Sequence, residues 1–257
     1  MILIDSHCHL NSKELLPFEN DLIKRAYEAG IKKFIIVGCD LDDSLKAVEL
    51  ANKYNQYASI GIHPHETERY KKNIPSEFYE AVHDKSIIAI GEIGLDFHYM
   101  HSPADIQKEF FELQLNFARE FNKPVILHIR EAMSEALNIM KNYNDLKFLF
   151  HCYSGGTEFL ERSLEFKSLL AFGGALTWKG KASENLREAF LKTPLNRIIF
   201  ETDCPYMAPA PFRGKLNEPS YVKYIYDRAC EMLNIKIEEL ADIVENNIKN
   251  FFMLQRI

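Results

Sequence analysis

The sequence lacks the features that would place the chain in a membrane or direct it to secretion. No segment approaches the roughly 18–20 consecutive apolar residues that a transmembrane helix requires. No charged segment followed by an apolar stretch precedes the first apolar run, residues 2–4, so a removable secretion signal is not expected. The sequence therefore predicts a protein without membrane contact.

Cysteine is also scarce. The chain has five cysteines, an odd number, and none of them forms a CxxC pair. This usage is typical of a reducing compartment and argues against a disulfide framework. The cytoplasm is the predicted location.

Basic residues are not in excess, because 31 Lys and Arg stand against 37 Asp and Glu and the formal net charge is −6. That balance excludes a protein that coats nucleic acid through bulk electrostatics, which needs clustered Lys and Arg. It does not exclude an enzyme acting on nucleic acid. Two divalent cations in a pocket would add about four positive charges where a phosphate lies.

Short apolar runs alternate with amphipathic stretches along the whole chain. The runs read as continuous Ile, Val, Leu and Phe, which is typical of parallel strands covered on both faces. Strands are predicted near residues 2–4, 34–37, 58–62, 87–91, 125–127, 148–150, 169–172 and 197–200. Helices are predicted near residues 18–29, 44–54, 75–83, 105–121, 131–142, 157–166, 183–191, 220–233 and 237–254.

Eight βα units in 257 residues predict an α/β protein, a closed (β/α)8 TIM barrel with extra helices at its C-terminal end. A doubly wound open sheet is the alternative, but it usually has fewer strands and a glycine-rich first turn. No linker, repeat or low-complexity segment is visible. One domain over residues 1–257 is therefore predicted.

Side chains with metal-binding chemistry follow most of the predicted strands. In a barrel, functional residues gather at the carboxyl ends of the strands. The first strand leads into His7-Cys8-His9, whose two imidazoles share one face because successive side chains in a strand alternate. The later strands lead into His63 and His65, Glu92 and Asp96, His128 and Arg130, His151, and Glu201 and Asp203.

Each of these residues alone has an ordinary structural explanation, as a loop hydrogen bond, a salt bridge or a turn former. Together they would bring imidazoles and carboxylates to one mouth of a buried barrel, where desolvation is costly without a partner. A cluster of two or more cations supplies that partner, since each cation takes about four to six donors. Glu201 and Asp5 are expected to lie behind the ligand histidines.

Three cysteines each come directly after one of these polar residues: Cys8, Cys152 and Cys204. Strand alternation predicts that they point into the interface between barrel and helices, as small buried apolar side chains. A thiolate ligand is the less favoured interpretation.

Seven short motifs follow one another along the chain: DSHCHL, GIHPH, GEIGLDF, HIREA, HCYSGG, ETDCPYMAP and PFRGKLNEP. In this order and spacing they resemble the TatD family of metal-dependent hydrolases, from residue 2 to about residue 220, and the C-terminal helices fit the family's length. Tyr153 and Phe212 stand where Phe and His are common in the family.

The resemblance implies a TIM barrel of the amidohydrolase type with a pair of divalent cations. His7, His9, Glu92 and Asp203 would hold one cation, and Glu92 would bridge to a second held by His128 and His151. The family is generally described as deoxyribonucleases, often 3′→5′ exonucleases on single strands, with Mg²⁺, Mn²⁺ or Zn²⁺. Asp203 and Glu92 would then be the catalytic carboxylates, with Asp203 orienting or deprotonating the attacking water.

Five further residues are candidates for substrate binding: His63, His65, Arg130, Arg213 and Lys215. The two histidines would contact the scissile phosphate or help to bind a further metal, or else form loop hydrogen bonds around Pro64. Arg213-Gly214-Lys215 would contact phosphate, since glycine lets the backbone approach an anion, or else is a solvated basic turn. Trp178, the single tryptophan, would stack on a base or pack under a loop.

The leading functional prediction is a metal-dependent DNase acting on DNA or another phosphodiester, with no obligate protein partner. A second hypothesis is an amidohydrolase acting on a small amide, lactone, ester or aminoacyl-tRNA type of substrate. Glu92 stands where that branch usually has a lysine at the end of strand four, which counts against it. A third hypothesis, a non-catalytic metal-bound adaptor, would predict an incomplete ligand set.

Overall fold

The computed structural model describes residues 1–70 and 73–254. The predicted domain, residues 1–257, extends past these at 71–72 and 255–257, which lie outside the described residues. The strands are β1 (Leu3–Cys8), β2 (Ile31–Val37), β3 (Tyr57–Ile60), β4 (Ile87–Asp96), β5 (Val125–Arg130), β6 (Lys147–Phe150), β7 (Lys167–Phe172) and β8 (Ile198–Phe200).

Helices lie between the strands and after β8. They are α1 (Glu19–Glu28), α2 (Leu41–Tyr54), α3 (Ser76–Ala81), α4 (Ala104–Glu120), α5 (Met133–Met140), α6 (Leu160–Leu164), α7 (Lys181–Lys192), α8 (Val222–Leu233) and α9 (Ile237–Phe252). Most present a buried apolar face toward the strands, as in α9, where Leu240, Val244, Ile248 and Phe251 are buried at helical spacing.

The eight strands form one parallel sheet in the order β1 to β8. Strand β8 returns to β1, because a parallel bridge joins Cys8 to Cys204 and the His9 amide donates to the Cys204 carbonyl at 2.9 Å. The Asp203 amide likewise donates to the His7 carbonyl at 2.9 Å. These contacts between β1 and β8, which we call the seam, close the sheet. The predicted (β/α)8 TIM barrel is therefore confirmed.

The C-terminal helices support the seam from outside. On α8, the buried Tyr226 hydroxyl donates to the Ile4 carbonyl at 3.2 Å and accepts from the Ile4 amide at 3.4 Å. On α9, the Asn247 amide nitrogen donates to the carbonyls of Leu195 and Ile198. The two helices therefore fix the positions of the first and last strands, which carry part of the site.

The predicted ends of three strands were wrong. We expected β1, β4 and β5 to end near residues 4, 91 and 127, but they continue to Cys8, Asp96 and Arg130. The ladder continues under polar side chains, with Gly94 paired to His128 and Asp96 to Arg130. Apolar runs stop where polar residues begin, whereas backbone pairing does not depend on side-chain polarity. His7, Glu92 and His128 therefore lie within strands.

Across the described ranges, no helix is both long and apolar enough to cross a lipid bilayer.

Candidate metal centre

Glu92 lies at the centre of the site, on β4, and is almost completely buried. Its two carboxylate oxygens face different imidazoles. Oε2 lies 3.3 Å from His7 Nε2 and 3.7 Å from His9 Nε2. Oε1 lies 2.7 Å from His128 Nδ1 and 3.6 Å from His151 Nε2. One carboxylate thus connects two sets of nitrogen donors.

The first set, which we call the seam group, consists of His7, His9 and Asp203. The Nε2 atoms of His7 and His9 are 3.1 Å apart, and Asp203 Oδ1 lies 3.5 Å from His9 Nε2 and 4.0 Å from His7 Nε2. Ligands about 2.0–2.1 Å from a tetrahedral zinc ion lie roughly 3.4 Å from one another. The seam group and Glu92 Oε2 therefore have the spacing of atoms that surround one cation.

The second set, the mouth group, consists of His63, His128 and His151 around Glu92 Oε1. His63 Nε2 lies 3.7 Å from that oxygen, and the ligand atoms of His63, Glu92 and His128 lie within 4.8 Å of one another. His151 stands between the two groups, since its Nε2 is also 3.8 Å from Asp203 Oδ1. The imidazole donors suit Zn²⁺, and the carboxylate donors suit harder cations such as Mn²⁺.

The protein holds the seam group through its backbone. Asp203 has a left-handed conformation with φ +55°, which an aspartate tolerates, and its amide bonds to the His7 carbonyl. Asp5 accepts from the Thr202 amide at 2.8 Å, the Thr202 hydroxyl at 2.6 Å and the His7 amide at 3.3 Å. Asp5 therefore binds the seam and not a histidine ring, which differs from the sequence expectation.

Side chains hold the mouth group. Asp96 Oδ2 lies 3.1 Å from His128 Nε2 and 2.9 Å from His65 Nε2. Glu201 Oε1 lies 3.0 Å from His151 Nδ1, behind that ring as expected from the sequence. Carboxylates in this position fix the orientation of a ligand histidine.

Gly94 allows β4 and β5 to approach closely beside His128. Its φ is +145°, and a Cβ at this position would lie 2.0 Å from the His128 carbonyl oxygen. Only glycine fits without displacing the strand that carries His128.

The charge states of Glu92, Asp203 and His7 in the free site suit cation binding. Burial raises the pKa of Glu92, but His151 and His7 outweigh it and hold that pKa well below the usual range. Burial also raises the pKa of Asp203, and His151 and His9 bring it below its ordinary value. Burial lowers the pKa of His7, so this imidazole is neutral and offers a lone pair. The residues present therefore fit bound divalent cations.

His151 is one of three imidazoles of the site whose pKa is raised, together with His9 and His128. Burial lowers its pKa, but Glu201, Glu92 and Asp203 outweigh burial and raise it to about 10. Its ring also stacks on His7, with centroids 3.6 Å apart. A cation that uses His151 must displace a proton, which makes its affinity dependent on pH.

A cavity of about 690 Å³ opens above the site. Arg130 lines it, with its guanidinium 4.5 Å from the ring centre of the half-exposed Tyr99. His63 and His65 lie on the same wall, with ring centroids 4.3 Å apart. The structure thus brings three of the five predicted substrate-binding residues to the cavity.

Arg213 and Lys215 lie elsewhere. Both are exposed, and neither is among the described residues that line the 690 Å³ cavity. The Arg213 guanidinium instead lies 4.5 Å from the centre of the Trp178 ring. The indole N–H donates to the Ala208 carbonyl at 2.9 Å. The basic turn is therefore joined to the only tryptophan of the chain.

Two features of the site escaped the sequence interpretation. Asp96 was noted after β4 without a role, yet it lies four residues from Glu92 on the same strand face and contacts two histidines. Cys39 follows β2, and its Sγ lies 3.7 Å from His9 Nδ1 and 3.9 Å from Glu92 Oε2. Burial raises the pKa of Cys39 to about 12. The strand-end rule applied to β2 would have found it.

The predicted orientation of Cys152 was wrong. It was expected between barrel and helices, but its Sγ lies within 4.8 Å of ligand atoms of His151 and Asp203. Strand β6 ends at Phe150 and Cys152 has φ +43°, so strand alternation does not reach it. Cys8 and Cys204 are fully buried, and a parallel backbone bridge joins the two residues across the seam.

Comparison with known proteins agrees with this geometry. The family model described as TatD related DNase matches residues 4–253. The chain is 35% identical over 256 residues to the uncharacterized metal-dependent hydrolase YabD of Bacillus subtilis, covering 98% of this chain and 100% of YabD.

Two further relatives are informative. The 3'-5' ssDNA/RNA exonuclease TatD of Shigella flexneri is 27% identical over 257 residues, covering 97% of this chain and 98% of that protein. The crystal structure of YjjV, a TatD homologue from Escherichia coli K12, superposes with a TM-score of 0.91 at 27% identity and covers 98% of both chains.

Proposed function

This chain belongs to the TatD family of metal-dependent hydrolases, and from that premise we propose that it cleaves phosphodiester bonds of nucleic acid. We propose single-stranded DNA as the substrate, degraded from the 3′ end. The relative from Shigella flexneri, named as a 3'-5' ssDNA/RNA exonuclease, supports this choice. The proposed enzyme is a single domain over residues 1–257 in the cytoplasm and needs no protein partner.

One observation carries the proposal: Glu92 joins two sets of cation donors beneath an open cavity lined by Arg130. We propose that the seam group and Glu92 hold one divalent cation, and that Glu92, His128 and His151 hold a second. When bound, such cations lower the pKa of a water molecule and offset the charge that develops on phosphate oxygens. Mg²⁺, Mn²⁺ and Zn²⁺ are the candidate ions.

The protein's own groups then have separate tasks. Asp203 is ionised, and its Oδ1 accepts the proton of the attacking water as a general base. Arg130 offers a guanidinium at the cavity wall that binds a non-bridging phosphate oxygen. His63 and His65 flank the same phosphate, and Asp96 fixes the ring of His65. Arg213 and Lys215, on the exposed turn beside Trp178, bind phosphates that flank the scissile one.

The test uses the full-length protein, stripped with a chelator and restored with Mg²⁺, Mn²⁺ or Zn²⁺ in turn. Substrates are 5′- and 3′-labelled single- and double-stranded DNA, a p-nitrophenyl phosphodiester and a p-nitrophenyl ester. We expect cation-dependent cleavage of single-stranded DNA, with a ladder that shortens from the 3′ end. Asp203→Asn should lower the rate by about 10²–10⁴-fold.

The matched control is Asp227→Asn, which alters an exposed carboxylate on α8 and should leave the rate unchanged. Cleavage without cations, or full activity of the Asp203→Asn variant, would contradict the proposal. Ester turnover without phosphodiester turnover would favour the amidohydrolase hypothesis instead.

A further inference from the structure

A second, smaller pocket lies beside the candidate metal centre. It has a volume of about 200 Å³ and lies between the loops after β6 and β7 and the start of α7. Met207 lines both this pocket and the 690 Å³ cavity. Cys152 lines the pocket too, and its Sγ is within 4.8 Å of ligand atoms of His151 and Asp203. The pocket therefore adjoins the site of the proposed reaction.

The wall of this pocket is mostly apolar and contains one fixed aromatic ring. Trp178, Leu186 and Met207 line it. The indole cannot turn freely, because its N–H bonds to the Ala208 carbonyl and Arg187 Nη1 donates to the Trp178 carbonyl at 2.6 Å. A ring that is already fixed loses little freedom when a flat ligand stacks on it.

One polar group gives the pocket a specific edge. Asn185 lines it, and its Oδ1 accepts from the Thr157 amide at 3.3 Å and hydroxyl at 3.2 Å. These contacts orient the amide, and within residues 1–70 and 73–254 its Nδ2 donates to no other group. A free N–H donor beside an aromatic wall suits a flat ligand with an acceptor on its edge.

Basic residues predominate in the chain segments next to the pocket lining, which favours an anionic ligand. The segments 178–181 and 213–215 contain Lys179, Lys181, Arg213 and Lys215, and one carboxylate, Glu184, lies between the lining residues Ser183 and Asn185. The Arg213 guanidinium contacts the Trp178 ring without lining the pocket. A nucleotide, with a flat base and a phosphate, matches this combination better than a neutral peptide side chain does.

We propose that the Trp178 pocket binds one unpaired base of the substrate, next to the scissile phosphodiester, by stacking on the indole. The proposal rests on the proposed nuclease function. Arg213, over the same ring, binds the phosphate of that nucleotide from outside the pocket. A base inside the pocket cannot remain paired or stacked in a duplex, so the enzyme acts on single strands and frayed ends.

The single tryptophan of the chain makes this testable without measuring cleavage. Because Trp178 is the only indole, tryptophan fluorescence of the full-length, cation-loaded protein reports on this pocket alone. The probe is a short oligothymidylate with phosphorothioate linkages, which resist hydrolysis. The comparison probe is the same oligomer without its 3′-terminal base. We expect the complete oligomer to change the emission and to bind about 5- to 150-fold more tightly.

Two variants that add the same side-chain volume distinguish filling of the pocket from an effect of the added side chain elsewhere on the surface. Ala182→Leu fills the pocket from an exposed position at the start of α7, and the difference between the two oligomers should disappear. Ala210→Leu places the same side chain on an exposed site of the neighbouring loop, outside the pocket lining, and should preserve the difference.

Failure of this proposal is distinguishable from failure of the proposed function. Equal affinity for both oligomers, with DNA cleavage intact, would overturn the base pocket and leave the nuclease proposal standing. A fluorescence change and an affinity difference that persist in Ala182→Leu would also overturn it. Absence of any phosphodiester cleavage would refute the nuclease function, while the fluorescence titration would still decide whether the pocket takes a base.

Discussion

The two halves of the candidate metal centre are held in place by different parts of the protein. The seam group rests on backbone hydrogen bonds between β1 and β8, supported by Asp5. The mouth group rests on side-chain carboxylates, Asp96 behind His128 and Glu201 behind His151. The two halves therefore respond to different changes. A single carboxylate can tune the mouth group, whereas the seam group depends on barrel closure.

Replacing the carboxylate shared by both halves should have the largest effect. Glu92→Gln keeps the shape of the side chain but removes the charge that faces both groups. We expect activity to fall by about 10³-fold, since transition-state charge is no longer offset. Metal analysis after dialysis should show loss at both halves. Glu120→Gln, at an exposed carboxylate of α4 outside the cavity lining, is the control. Loss of only one cation would mean that Glu92 is not shared.

A smaller effect, limited to one half, is expected at Asp96. Asp96→Asn weakens the hold on His128 and His65, and cation affinity at the mouth group should fall by about 10–100-fold. Titration against a chromophoric chelator should show one weakened and one unchanged class of site. Asp105→Asn, at an exposed carboxylate of α4, is the control. Equal weakening of both classes would remove the distinction between the halves.

Substitution of Gly94, where β4 approaches β5 beside the mouth group, should lower stability. Gly94→Ala places a Cβ against the His128 carbonyl, and we expect the free energy of unfolding to fall by about 1–3 kcal/mol. Urea denaturation measures it. Gly180→Ala is the matched control, since Gly180 also has a positive φ, +111°, but open space around it. Equal losses in both variants would show that backbone conformation, and not the close approach, limits this position.

An effect that depends on pH is expected at the seam. Burial raises the pKa of Asp5 to about 8, against an ordinary value of 3.8. The folded chain therefore keeps a proton that the unfolded chain has lost, and this group's contribution to stability declines as pH rises from about 4 to 8. Asp5→Asn is neutral at every pH, so its stability should decline less across that window. Identical pH profiles from thermal unfolding would contradict the raised pKa.

Continuous apolar runs made most of the fold predictable from the sequence, because parallel strands buried on both faces differ in composition from the amphipathic helices between them. Strand ends were less predictable. In β1 and β4 the ladder continues below His7 and Glu92, where the side chains turn polar because they face the site. Composition reports what surrounds a side chain, and backbone pairing continues independently of it.

The clustering of the predicted ligand residues could be anticipated because each lies in a short motif at a strand end. The positions of their supporting residues could not. Asp96 reaches the histidines because of the register of β4 against β5, and Cys152 reaches the site because of its left-handed backbone conformation. Neither the register nor the backbone conformation can be predicted from residue type. The place of Arg213 depends on a long loop that folds over Trp178, a contact that no local pattern predicts.

The seam also determines when the site can form during synthesis. Asp5 and Thr202 meet although 197 residues separate them in the sequence. His7 and His9 therefore emerge from the ribosome long before Asp203, and no complete seam group exists on the nascent chain until β8 has been made. Assembly of this half is thus a late event in biogenesis, coupled to barrel closure, and a truncated translation product that stops before β8 carries two histidines without their carboxylate partner.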